Sequence, residues 1–121
     1  MLREYKQAIE NFPLPLPKGE KFPSKPPGQI SDEGDYEAGF GGSFASFYWR
    51  CEWMSSFLEA FNANNASGQT TALDELGKWR TIPWVQEHVV DDPDHPFQTA
   101  VVDTARLGDP KPMADFKSGS C

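Results

Sequence analysis

The sequence predicts a mainly α protein: a small irregular helical bundle around a buried central helix, with a proline-rich extended strap on its N-terminal side. Three observations lead there. The stretch from Ser43 to Phe61 carries apolar residues at helical spacing on two adjacent lines. Residues 13 to 28 hold six prolines, which exclude a helix or a central strand there. Most of the remaining segments are short helical patterns punctuated by Gly, Pro and Asn.

In the central stretch, Phe44, Phe47, Cys51, Met54, Leu58 and Phe61 recur every three or four residues, and Trp49, Trp53, Phe57 and Ala60 run beside them. Apolar groups therefore cover far more than a third of the circumference. Such a helix has to be covered on at least two sides, and Arg50, Glu52 and Glu59 mark the strip expected to face water. With 121 residues the chain has the size of one domain, so one core is expected over 1–121.

Taken in order, residues 1–12 form a short helix with Leu2, Tyr5, Ile9 and Phe12 on one face, stopped by Pro13. Residues 13–42 are a Pro/Gly-rich strap and an acidic loop. In the strap, Leu14, Leu16 and Phe22 are expected to pack on the central helix. Its proline and basic residues miss the Pro-x-x-Pro-x-basic register of an SH3 ligand. Asp32, Glu33, Asp35 and Glu37 lack calcium-loop spacing and read as a solvated turn. The glycines before Ser43 have no following Lys to hold a phosphate, and Ser43 reads as the helix N-cap.

Residues 43–108 form the helical core. Asn62 to Gly68 make a turn, and Asn65-Ala66-Ser67 matches a glycosylation acceptor. Thr70 or Thr71 then caps a helix over 72–80, whose Ala72, Leu73, Leu76 and Trp79 cover the central helix as an antiparallel hairpin. Pro83 opens a short helix reaching about Val90. Pro96 opens a last helix carrying Phe97, Ala100, Val101 and Thr104, with a strand as the alternative. Residues 109–121 are expected to be an irregular tail in which Met113 and Phe116 pack.

Eighteen acids against eleven bases give a net charge of −7, the opposite of what phosphate neutralisation needs, so nucleic acid is not an expected partner. No apolar run is long enough to cross a membrane, and Met1 leads into Leu-Arg-Glu-Tyr-Lys with no apolar leader. At face value that indicates a cytoplasmic protein; for a chain trimmed from a longer one it indicates no location. Cys51 and Cys121 are an even pair that either bridge, fastening the tail to the core, or remain a buried and a terminal free thiol.

The densest group of metal-ligand types is His88, Asp91, Asp92 and His95, with Asp94 beside them. Each residue also has an ordinary explanation, in a helix end, a turn or a cap. No serine has a Gly-x-Ser-x-Gly setting, and no cofactor is expected. The aromatic residues are mostly core by spacing. Trp84, at a helix start beside an acidic turn, is the candidate for an exposed interaction residue.

Three pieces in order, Leu16 to Pro23, Tyr48-Trp49-Arg50-Cys51-Glu52-Trp53, and Ala72-Leu73 through Leu76 and Trp79 to Pro83, are similar to exported segments of uncharacterised actinobacterial proteins anchored by one N-terminal transmembrane helix. The resemblance spans roughly residues 14–110 and lacks the anchor. It implies a location outside the membrane and a paired Cys51 and Cys121, and it carries no activity. The leading functional expectation is accordingly an extracytoplasmic binding or interaction module whose partner is another envelope protein or a cell-wall component. The alternative is a small metal-dependent or hydrolytic enzyme using the His88 to His95 segment.

Overall fold

The computed structural model describes residues 2–23, 40–88 and 97–121. Six α-helices are described: α1 (Leu2–Glu10), α2 (Phe40–Asn62), α3 (Ala66–Leu76), α4 (Pro83–His88), α5 (Asp103–Arg106) and α6 (Lys111–Ser120). A 3-10 turn, Trp79–Thr81, lies between α3 and α4, and a π-helical turn, Gln98–Val102, leads into α5. Among the described residues there is no strand, so the valines at 101 and 102 are helical. The acidic residues 32–37, with Asp91, Asp92, Asp94 and His95, lie outside the described residues.

The central helix α2 is the long apolar stretch, and helices α1, α3, α4 and α6 all pack on it. It begins at Phe40, so Ser43 lies within the helix rather than capping it. Of its two apolar lines, the deeper is Trp49, Trp53, Phe57 and Ala60, joined by Met54. Phe47, Cys51, Leu58 and Phe61 are half-buried and flank the core. The line of tryptophans is thus the deeper of the two. Indoles are the reason: they fill the most volume, and burial of Trp49 and Trp53 requires an acceptor for their N–H groups.

That acceptor comes from the strap. Trp49 Nε1 and Trp53 Nε1 both donate to the carbonyl oxygen of Pro15, at 2.8 and 2.9 Å. Proline lacks an N–H but keeps its carbonyl, so an extended Pro-x-Pro segment can satisfy buried donors without needing partners for its own amides. Leu14, Leu16 and Phe22 pack against the core as expected. Phe12 closes on Phe22 with ring centroids 5.3 Å apart. From α1, fully buried Tyr5 donates to Pro23 O at 2.8 Å. Burial, and to a lesser degree Tyr48, pushes its hydroxyl up to about 12.

A tight turn reverses the strap between Pro17 and Glu20, where Glu20 N donates to Pro17 O at 3.0 Å. Gly19 sits in its third position at φ +85°, the left-handed conformation that such a turn requires there and that glycine adopts without penalty.

The connection from α2 to α3 is shorter than the sequence suggests. Helix α3 starts at Ala66, with Asn65 as N-cap accepting from Gly68 N at 3.0 Å. Thr70 and Thr71 lie inside the helix, their hydroxyls donating to the carbonyls of Ala66 and Ser67. The Asn-rich run permits both turn and cap, and the close approach of the two helices decides. A Cβ on Gly68 would lie 2.8 Å from the Asn65 amide nitrogen and 3.0 Å from Ala60 Cβ, so glycine leaves room both for the cap and for the approach of α2. The expected antiparallel hairpin forms, with Ala72, Leu73 and Leu76 buried against α2.

The C-terminal segment differs most from expectation. Residues 111–120 are helical, not an irregular tail. Asp109 Oδ1 accepts from Lys111 N at 3.1 Å, and Pro112 falls in the first turn, where no N–H is needed. Met113 is fully buried and Phe116 packs on the core.

Replacing Trp53 by Phe removes one of the two hydrogen bonds to Pro15 and is expected to cost about 1–2 kcal/mol. Urea denaturation of the variant measures this. A loss below the resolution of that experiment would mean that the strap is not held through Pro15.

Candidate ligand groove

Two features stand out once the helices are placed: a charged side chain enclosed by aromatic rings, and an open groove beside it. Both depend on the docking of α6 on α2.

Arg50 was expected on the water-facing strip, and the structure corrects that: only 8% of its surface is exposed. Its guanidinium carbon lies 4.3 Å from the Trp79 ring centroid, 4.7 Å from Phe116, and 5.0 Å from Phe47 and Phe97. The planar, weakly hydrated guanidinium can stack on ring faces where an ammonium would not, which is why burial is tolerated. No hydrogen-bond partner among the described residues reaches Nε. Burial lowers its pKa to about 10, so it remains charged at neutral pH. The rings come from α2, the 3-10 turn, the residue before the π-helical turn and α6, so Arg50 gathers four segments.

Covalent closure is close by. Cys51, one residue along α2, forms a disulfide with Cys121, 70 positions away in sequence, with Cα atoms 6.0 Å apart. Of the alternatives open from sequence, the bridge is the one realised, and it fastens the end of α6 to the middle of α2.

Beside the disulfide runs a groove of about 1010 Å³. Its α2 wall carries Phe44, Phe47, Tyr48, Cys51, Glu52, Ser55 and Leu58, all within one face of the helix. From Phe44 to Leu58 that wall extends about 21 Å. The α6 wall carries Ala114, Lys117, Ser118, Ser120 and Cys121. Phenyl and isobutyl groups with the disulfide give it apolar surface, and Tyr48, Glu52 and Lys117 give it polar anchors.

The anchors interact. The Tyr48 hydroxyl donates to Lys21 O at 3.2 Å and also faces Glu52. Burial first, then the Glu52 carboxylate, raises the Tyr48 pKa. Glu52 is itself pushed above the usual carboxylate value, first by burial, then by Glu20, with Glu59 adding to the effect. The Tyr48 hydrogen bond and Lys117 act in the opposite direction. The turn at Gly19 and the helical register of α2 thus bring Glu20 and Glu59 near enough to act electrostatically on Glu52, the carboxylate that lines the groove. Seven residues separate Glu52 from Glu59, two helical turns, so both project in the same direction.

Chemically the groove is equipped to bind. Among its described lining residues there is no imidazole to pair with Ser55, Ser118 or Ser120. His88 lies at the end of α4 instead, stacked on Trp84 at 4.8 Å between centroids, with Nδ1 3.0 Å from Trp84 O. Its proposed companions Asp91, Asp92 and His95 are outside the described residues. No group of three His, Cys, Asp or Glu among the described residues could hold a metal ion. Trp84 is half-buried, edge-on to Phe47 with centroids 5.5 Å apart.

The groove was missed in sequence because its second wall was read as an irregular tail. Asp109 and Pro112 around Lys111, with Met113, Phe116 and Lys117 at helical spacing, are the signal that identifies that wall.

Reducing the disulfide, or replacing both cysteines by Ser, is expected to lower stability by about 4 kcal/mol, from the entropy of the loop it closes. Urea unfolding with and without dithiothreitol measures this, and an unchanged midpoint would refute it. For Arg50, truncation and charge removal separate: Arg50→Ala leaves the four rings without a filler and is expected to cost about 3 kcal/mol. Arg50→Met keeps the volume and breaks no ion pair among the described residues, so it should stay within about 1 kcal/mol of the parent. Equal losses in the two variants would show that attraction between cation and rings, not packing, holds the cage. No family model, curated protein or solved structure matches this chain.

Proposed function

We propose that this chain is a non-enzymatic interaction domain of an oxidising, extracytoplasmic compartment, and that the groove between α2 and α6 seats a segment of a partner. The observation that carries the reading is the groove itself: about 1010 Å³, apolar along its α2 wall, with polar anchors and a disulfide joining its two walls. Binding sites of this kind combine apolar lining with a few placed polar groups. The bridge holds the spacing of the walls, and oxidising compartments preserve such bridges. The similarity of three sequence pieces to exported segments of anchored actinobacterial proteins supports the same location. On that basis the partner is another envelope protein or a cell-wall component.

Two measurements test the reading. Nile red, a neutral apolar dye, should bind the oxidised protein with a blue-shifted emission. Ser118→Trp, which fills the groove from the exposed side of α6, should abolish that signal without altering the melting temperature. Binding that survives Ser118→Trp, or no binding, counts against the groove. Alkylation and intact mass of protein recovered from its native host should show a bridged Cys51 and Cys121; two free thiols there would place the chain in a reducing compartment.

A further inference from the structure

Charge complementarity narrows the partner. The groove runs about 21 Å along α2, which matches about 14 residues of helix. Its α2 side is negative: Glu52 lies in the wall, and Glu20 and Glu59 are near enough to act on it electrostatically. Lys117, on the opposite wall, is the one basic residue lining it among the described residues. The other base on α6, Lys111, is paired with Asp115 at 3.0 Å. A half-buried carboxylate crowded by two others gains most from an incoming cation, which offsets repulsion already present in the free protein.

We propose that the groove is occupied by a basic amphipathic segment of a partner protein, its apolar side chains against Phe44 and Leu58 and its Lys or Arg side chains facing Glu20, Glu52 and Glu59. This rests on the groove being a docking site, as argued above. A second copy of the chain is disfavoured because it brings the same net charge of −7 and the same three carboxylates. An anionic lipid surface or a nucleic acid meets the same repulsion.

The test uses three fluorescein-labelled amphipathic helical peptides of about 14 residues. Each has a leucine face, and the polar face is all Lys, all Gln or all Glu. Anisotropy titrations against the full oxidised chain are expected to rank Lys above Gln above Glu, with the Lys peptide weakening as salt rises to physiological strength. Glu59→Gln should weaken the Lys peptide about twofold to fivefold and leave the Gln peptide unchanged, and Glu52→Gln, in the groove wall, should weaken the Lys peptide more than the Gln peptide. Glu59 is exposed, so its variant tests the charge without disturbing the fold. Ser118→Trp should abolish binding of all three.

If the Lys and Gln peptides bind equally and Ser118→Trp blocks both, the groove remains a docking site and the basic partner is overturned. If no peptide binds while Nile red still does, the partner is again overturned, in favour of a small apolar ligand. If neither peptide nor dye binds, both the partner and the docking site are overturned. Dimerisation of the chain alone that is lost in Ser118→Trp would overturn the basic partner in favour of a second copy.

Discussion

A helix that is apolar around most of its circumference obliges the chain to cover it on several sides, and this constraint organises the molecule. Helix α2 carries that burden with Trp49, Trp53, Met54 and Phe57 in the deepest positions. The strap, α1, α3, α4 and α6 are its covers. Each is too short to be stable alone, because a nucleated helix of six to eleven residues gains little in water until its apolar face is buried. Buried indole N–H groups add a polar demand, and a carbonyl of a proline-rich strap meets it for two tryptophans at once. The strap's irregularity is therefore functional in the packing sense: it supplies acceptors and, lacking N–H groups at its prolines, asks for few in return.

The second organising feature is Arg50. A cation removed from water is costly, and an aromatic cage offsets only part of that cost. Its placement ties four otherwise separate segments to one point, Trp79 and Phe116 most closely. Helix α6 contributes a ring to the cage, a methionine to the core and a cysteine to the bridge, so a ten-residue helix is held by three different interactions. This division of labour leaves the remaining face of α6 available to form a wall, since its seat does not depend on covering α2 completely.

The groove follows from that incomplete cover. Phe44, Tyr48 and Leu58 line it from α2, and Ala114, Lys117 and Ser118 line it from α6. The polar groups nearby are placed by unrelated parts of the chain: Glu52 and Glu59 by the register of α2, Glu20 by the turn at Gly19, Lys117 by α6. Repulsion from Glu20 and Glu59 is felt by Glu52 beside Tyr48, and Lys117 opposes it.

By itself the sequence determined the mainly helical class, the central helix, the packing of the strap through Leu14, Leu16 and Phe22, and the hairpin partner. These follow from spacing and from proline, which act within a few residues and are visible in one dimension. The tertiary structure alone decided which line of α2 lies deepest, because indole volume and N–H satisfaction depend on what is laid opposite. It decided that Arg50 is inside, since the rings that receive it lie up to 66 positions away in the chain. It decided the pairing of Cys51 with Cys121 and the conversion of the C-terminal segment into a helix. Caps and spacing permit that helix, but at ten residues it needs Met113 in the core to hold it. The groove is the product of these long-range choices, which is why its α2 wall was legible as a helix face and its α6 wall was not.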